Sequence, residues 1–165
     1  MAILATERDE NVIASLFKYI EANFTLVPVY YGNSGIKEED YDEWMRVDVM
    51  IPKPRYARQV GDDLMGAEAL VMLNMNIFKK QTEAETINIY RPHRIHDTLA
   101  NLFRVPLGIA VKDYVESAGA GTNRIGTLQT SELESQNIGL QESSALYQWN
   151  LTSTMRYVQA WEAPS

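Results

Sequence analysis

The sequence of 165 residues contains no cysteine, only two histidines and no long apolar run. The absence of cysteine excludes disulfides and thiolate metal ligands, so the fold has to be held by packing and by contacts with other chains. No stretch approaches the roughly 18 apolar residues that cross a bilayer, and the first residues lack the pattern of a secretory signal. We therefore expect a protein that is cytosolic when made and has no membrane partner.

Positive charge is also scarce. Lys and Arg number 15 against 22 Asp and Glu, which gives a net charge of −7 and a pI of about 4.8. A net negative charge disfavours tight binding to phosphate backbones, although an acidic surface lets DNA pass without holding it. Hydrophobic residues make up 45% of the chain, which is enough for one core, and we expect a single domain over residues 1–165.

Two runs with strand-like alternation, Trp44–Ile51 and Glu68–Phe78, are the most informative feature that is present. In each run apolar and other residues alternate with a period of two, which is typical of half-buried strands. Consecutive strands usually pair, so we expect an antiparallel pair. The connection Pro52–Gly66 is far longer than a hairpin needs, and long loops are usually functional or unstructured.

The charges of this connection divide between its ends. Basic residues come first and acidic ones follow, so unlike ends can meet head to tail between identical copies in a ring. An unstructured surface loop is the alternative interpretation. If the loop is an interface, its candidate residues are Arg55, Tyr56, Arg58, Gln59, Asp62 and Asp63.

The remaining segments predict an α+β domain. Apolar residues recur at three- and four-residue spacings in two segments, which predict helices, and alternate in others, which predict strands. The expected helices are Asp9–Asn23 and Tyr90–Phe103; the expected strands are Leu26–Tyr31, Leu107–Glu116, Arg124–Glu132 and Leu146–Ala160, with a loop at Ser135–Ser144. Pro28 suits an edge strand. The predicted fold is a mainly antiparallel sheet with two helices packed on one face and a long loop between the second and third strands.

Both histidines lie in one segment and are the best candidates for chemistry. His93 and His96 share a helix face beside Asp97, a pattern that superficially indicates a metal site. A zinc site usually needs further protein ligands, and the chain has no other His and no Cys. We favour a solvated helix face, with a small metal-dependent enzyme using His93, His96 and Asp97 as the alternative. The acidic run Glu38–Glu43 lacks the glycine spacing of a calcium loop and is interpreted as solvated.

Nucleophilic and phosphate-binding motifs are missing as well. No Ser lies in a Gly-x-Ser-x-Gly elbow, and the run Ala118-Gly119-Ala120-Gly121 does not open a helix. We therefore expect no enzyme, no catalytic or metal-binding residues and no cofactor.

Five segments in this order carry a resemblance to a known family. They are ENVIASLFKYIEANF, RVDVMI followed by PKPRYARQVG, AEALVMLNMNIF, RIHDTLANLF and YQWNLTSTMRYV. Together they resemble the tail terminator, or tail-completion, proteins of long-tailed bacteriophages. The resemblance implies a structural virion protein that forms a hexameric ring on the last ring of the tail tube, stops tube polymerisation and offers the docking surface for the head connector.

The resemblance also implies partners and a location. The partners are further copies of the chain, the tail tube protein and the head–tail connector, while DNA only passes through the channel. The location is the head-proximal end of the virion tail, after assembly in the host cytoplasm. The alternatives are another ring-forming tail or neck protein, such as a tail tube or connector subunit, and a binding adaptor. Aromatic residues such as Tyr30 and Tyr41 also favour assembly, because such side chains are enriched at interfaces.

Overall fold

The computed structural model describes residues 9–32, 35, 37, 40–52, 57–59, 64–81, 90–114, 121, 123–141 and 145–162, with backbone alone at 57–59, 64–67 and 158–162. In chain order the elements of these residues are α1 (Asp9–Asn23), β1 (Val29–Tyr31), β2 (Glu43–Met50), β3 (Ala57–Gln59), β4 (Leu64–Lys80), α2 (Tyr90–Leu102), β5 (Gly108–Lys112), β6 (Arg124–Gln141) and β7 (Leu146–Glu162). The first helix and the neighbouring positions of β2 and β4 agree with the sequence prediction.

All the strands described belong to one curled sheet, a half-barrel with the order β1-β2-β4-β7-β6-β5, and β3 pairs with the start of β4. Strand β1 is parallel to β2, and the other pairs are antiparallel. Helix α1 contacts both end strands. The Phe17 ring lies 4.2 Å from that of Tyr31 in β1, and Ser15 Oγ accepts a 2.9 Å hydrogen bond from the backbone N–H of Lys112 in β5.

The predicted fold, a mainly antiparallel sheet with two helices packed on one face, is therefore wrong. The sheet is mixed and curled, and α1 contacts its end strands while α2 packs against β4 and β7. Strands β1 and β2 run parallel because the chain crosses over between Tyr31 and Glu43 before it enters β2. Part of the predicted long loop is also strand, since β3 pairs with residues 65–67.

The predicted loop Ser135–Ser144 is a further error. Strand β6 continues to Gln141, opposite Leu146 of β7. The side chains of this stretch are mostly polar and exposed, so they carry no apolar alternation that a sequence prediction could use. Backbone pairing with β7 forms the strand there, because ladder hydrogen bonds do not depend on apolar side chains.

The core lies on the inner face of the curled sheet. Val47, Met75 and Leu151 stand opposite one another on β2, β4 and β7, and all three are fully buried. Leu16 of α1 and Leu99 of α2 join the same cluster. The outer face of these strands carries polar groups, which hydrogen bonds connect across the strands: Asn74, Asn76, Gln148, Asn150 and Thr152.

A charged contact fixes the start of α2. Arg91 Nε donates to both carboxylate oxygens of Glu43, at 3.0 and 3.1 Å, and its Nη2 donates to the carbonyl of Leu26 at 2.9 Å. The hydrogen bonds with Glu43 raise the pKa of Arg91. Glu43, predicted to belong to a solvated acidic run, is therefore the first residue of β2 and an anchor for α2.

We expect Arg91→Lys to lower the free energy of unfolding by about 1 kcal/mol, because a lysine keeps the charge but loses the forked hydrogen bonds. Urea unfolding followed by tryptophan fluorescence measures this. The control is Lys18→Ala, which removes an exposed pair between Lys18 and Glu21 and should lower the free energy of unfolding by less than Arg91→Lys does, because water screens this pair. Equal losses for the two variants would contradict the anchoring role.

Tyr31 makes stability depend on pH at the alkaline end. Burial raises its pKa from 10.0 to about 12, so the folded chain holds the phenol proton more tightly than the unfolded chain does. The contribution of Tyr31 to the free energy of unfolding is therefore fully present below pH 10 and is lost as the pH rises towards 12. Tyr31→Phe should flatten this loss in urea unfolding across the window. Tyr90→Phe is the control, since Tyr90 is 81% exposed and should leave the loss in place.

Candidate subunit interface

Strand β6 is much longer than its outer neighbour β5. It pairs with β5 only over residues 124–129, and with β7 from Gln129 to Gln141. The last backbone contact on the β5 side is the N–H of Thr130, which donates to the carbonyl of Leu107 at 2.8 Å. Residues Ser131–Gln141, here called the β6 edge, thus have β7 on one side and no second strand among the described residues.

The side chains of the β6 edge are suited to a regulated contact. Ile138 and Leu140 are 42% and 39% exposed near its end, while Glu132 and Glu134 are exposed near its start. Register irregularities interrupt the pairing with β7 at Ser131 and at Ile138. Long open edges invite uncontrolled pairing, and carboxylates and bulges are the features that limit it.

The other end of the sheet is β1, whose three residues pair with β2 on one side. In the described part of the chain no strand pairs with its other side, here called the β1 edge. Tyr30 of this strand meets Tyr41 edge to face, with ring centroids 5.8 Å apart, and Tyr41 is 38% exposed. A hydrogen bond with Tyr41 raises the pKa of Tyr30 to about 12.

His96 of helix α2 contacts the β6 edge from the inner face of the sheet. The His96 ring stacks on Trp149 with centroids 4.5 Å apart, and its Nε2 lies 2.7 Å from Ser135 Oγ. Trp149 Nε1 donates to the same Oγ at 2.9 Å, while Asp97 Oδ1 lies 3.1 Å from His96 Nδ1. The indole N–H can only donate, so Ser135 Oγ accepts this bond, while the tautomer of His96 sets the direction of its bonds with Ser135 and Asp97.

This order of carboxylate, imidazole and hydroxyl resembles that of serine hydrolases. Asp97 is 78% exposed, however, so water screens its charge, and the Trp149 N–H holds Ser135 in place from the side. We interpret the chain of bonds as a clip that joins α2 to β6 and β7. The sequence did not indicate it, because Ser135 was assigned to a loop and His96 to a solvated helix face.

The favoured interpretation of α2 as a partly solvated helix agrees with the structure in most positions. His93, Arg94 and Asp97 are exposed, while Ile95 and Leu99 are fully buried. Among the residues that the structure describes, no three His, Cys, Asp or Glu side chains are grouped to hold a metal ion.

The six interface residues expected from sequence fall on or near β3. Arg58 and Gln59 belong to β3, where their backbones lie opposite Gly66 and Met65 of β4. The other four, Arg55, Tyr56, Asp62 and Asp63, lie outside the described residues, so the pairing of their charges between copies stays a prediction. The β6 edge was missed, although the length of the final strand was a signal for it, because a strand of 17 residues needs partners of similar length.

Comparison with known proteins gives a likeness of fold. No protein-family model and no curated protein matches the chain. A solved structure whose name states no function is 12% identical, with a TM-score of 0.51, and the match covers 96% of this chain and 99% of that one. The PVC sheath/tube terminator of an extracellular contractile injection system, in its extended state, is 10% identical with a TM-score of 0.42. That match covers 98% of this chain and 62% of the terminator.

The first of these likenesses shows a shared fold, and the second is too weak to transfer a role. The helices in the described ranges are also too short or too polar to cross a membrane.

His96→Ala should lower the free energy of unfolding by about 1–2 kcal/mol, because it removes a ring stack and a hydrogen bond of the clip. His93→Ala is the matched control, since His93 meets the same indole edge to face, at 4.4 Å, and is exposed. Urea unfolding gives both values, and metal analysis of the purified chain should find no stoichiometric metal. A bound metal that His96→Ala releases would contradict the clip.

Proposed function

We propose that the chain is a structural subunit that caps the end of a phage tail tube. It forms a hexameric ring with further copies of itself, stops tube polymerisation and presents the docking surface for the head connector at the head-proximal end of the tail. The observation that carries the proposal is the β6 edge, a long exposed strand edge with apolar residues near its end. Such an edge is suited to pairing with another chain.

A terminator needs different surfaces on its two sides. A protein that ends a polymer binds the terminal ring as another subunit would, yet offers a different surface on its far side. Its lateral contacts close the ring and halt growth. The two open edges of the sheet are candidates for the lateral contacts, and the segment Pro52–Gly66 is the candidate for contact with the tube ring or with the neighbouring copy.

Charge supports the same role. The net charge of −7 disfavours retention of DNA, so DNA that enters the head or leaves it passes through the ring without being held. Within the segment Pro52–Gly66, Arg55 and Arg58 of one copy meet Asp62 and Asp63 of the next. A tail tube or connector subunit is the nearest alternative, because it too would form a ring through lateral contacts.

The test is to mix the purified chain with the tail tube protein of the same virion. Electron microscopy should show six-membered rings at the tube ends, and tubes should stop growing. The double variant Arg55→Glu and Arg58→Glu should bind tube ends at least about tenfold more weakly, because like charges then meet across the contact.

Lys37→Glu with Arg94→Glu is the control, since both residues are exposed and the change in charge is the same. Normal capping by the Arg55 and Arg58 variant would refute the role of the segment. Rings that add indefinitely along the tube would instead identify the chain as a tube subunit.

A further inference from the structure

We infer that the β1 edge of one copy pairs, antiparallel, with the β6 edge of the next, so that Tyr30 lies beside Gln136 of its neighbour. The inference rests on the proposed assembly with further copies and names the surfaces that meet. It follows from the strand register, the strand directions and the exposed side chains of the two edges.

The register places the two edges at the same level of the sheet. One line of directly opposed residues crosses the whole sheet from edge to edge: Tyr30, Arg46, Asn76, Asn150 and Gln136. The adjacent lines join Tyr31 to Ser135 and Val29 to Asn137 in the same way. Two copies placed side by side at this level therefore continue each other's sheet without an offset along the strands.

The faces match as well as the levels. Arg46, Asn76 and Asn150 lie on the outer face, because they alternate with the buried residues of β2, β4 and β7. Tyr30 and Gln136 stand in line with them and so share that face. Tyr31 and Ser135 are in line with buried Val47 and Leu151 and belong to the inner face. In such a pair every outer residue stays outer, which a shift by one residue would reverse.

The strand directions also fit. Strand β1 runs parallel to β2, β2 and β7 are both antiparallel to β4, and β6 is antiparallel to β7. Strand β6 is therefore antiparallel to β1. A copy rotated beside its neighbour brings these edges together as an antiparallel pair, the commoner arrangement between strands.

Exposed apolar groups on the two edges lie at matching levels. Leu140 is in line with Glu43 through Tyr147 and Lys79, and Tyr41 precedes Glu43 by two residues. Leu140 stands in line with inner-face positions, so it comes to the inner side of the next copy, at the level where the segment with Tyr41 enters β2. Pairing would remove part of Leu140 from water, and the single chain leaves this side chain 39% exposed.

The occupant is a second copy because the two edges complement each other within one molecule. A contact between different edges leaves a free edge on each partner, so further copies add until the ends meet. Pairing without an offset favours a closed ring over a helix. The β1 edge offers only three residues, so each contact is weak, and a closed ring gains by making all of them at once.

Cysteine trapping tests the register directly, because the chain has no native cysteine. Tyr30→Cys and Gln136→Cys place thiols on opposed outer positions, where Cβ atoms of an antiparallel pair lie about 4.5–5.5 Å apart. Oxidation of the double variant at millimolar concentration should give a ladder of covalent oligomers that ends at a closed ring. A mixture of the two single variants should give dimers and nothing larger.

The matched control combines Tyr30→Cys with Glu132→Cys. Glu132 is also opposed to an outer residue, Thr154, but lies about 10–13 Å further along the strand, beyond the reach of a disulfide. We expect crosslinking of the Gln136 pair to be at least about tenfold faster, because only that pair has a high effective concentration. Equal rates, dimers from Tyr30→Cys alone, or no crosslink at all would overturn the inference.

The same variants separate this inference from the proposed function. Covalent rings that fail to cap tubes would leave the edge pairing standing and reject the terminator role. Capping rings whose Tyr30→Cys and Gln136→Cys thiols do not join would do the reverse. Wild-type chain under the same oxidant shows how much oligomer forms without any thiol.

Discussion

The structure depends on the backbone pairing of β7 with both of its neighbours. Strand β7 pairs with β4 at every position from Leu146 to Glu162, and with β6 from Leu146 to Arg156. This ladder holds polar and apolar residues alike in a fixed register, so it determines which side chains of all three strands point into the core. The register of the outer strands β2 and β5 follows from it, as do the positions of the two open edges.

The two helices complete a core that the curled sheet leaves open. Helix α1 contacts β1 at one end of the sheet and β5 at the other, through the Phe17 ring and through Ser15. Helix α2 is held at its start by Arg91 and in its middle by the clip between His96, Ser135 and Trp149. The clip ties the open strand β6 to the core at the point where β5 no longer supports it. A strand held in this way keeps its edge in a fixed position relative to the core.

Local pattern and long-range pairing account for what the sequence could and could not predict. Helix α1 and the antiparallel pair of β2 and β4 were predictable, because apolar periodicity specifies both. The second half of β6 was not, since its form comes from the β7 ladder and its side chains are mostly polar. The parallel pairing of β1 and the contact of His96 with Ser135 join distant segments, which periodicity does not report. Of the expected interface, only the backbones of Arg58 and Gln59 could be placed, and the β6 edge was not expected at all.

The unequal lengths of β5 and β6 have a genetic consequence. Because β5 ends early, β6 adds an open edge to that of β1 among the described residues, and damage to one edge leaves the other intact. In the assembly inferred above, a copy with a blocked β6 edge would still join a neighbour through its β1 edge and then leave the growing assembly without a place for the next copy. Mutations at these edges would therefore be dominant over the wild-type allele, whereas mutations that unfold the core would be recessive, because an unfolded copy joins nothing.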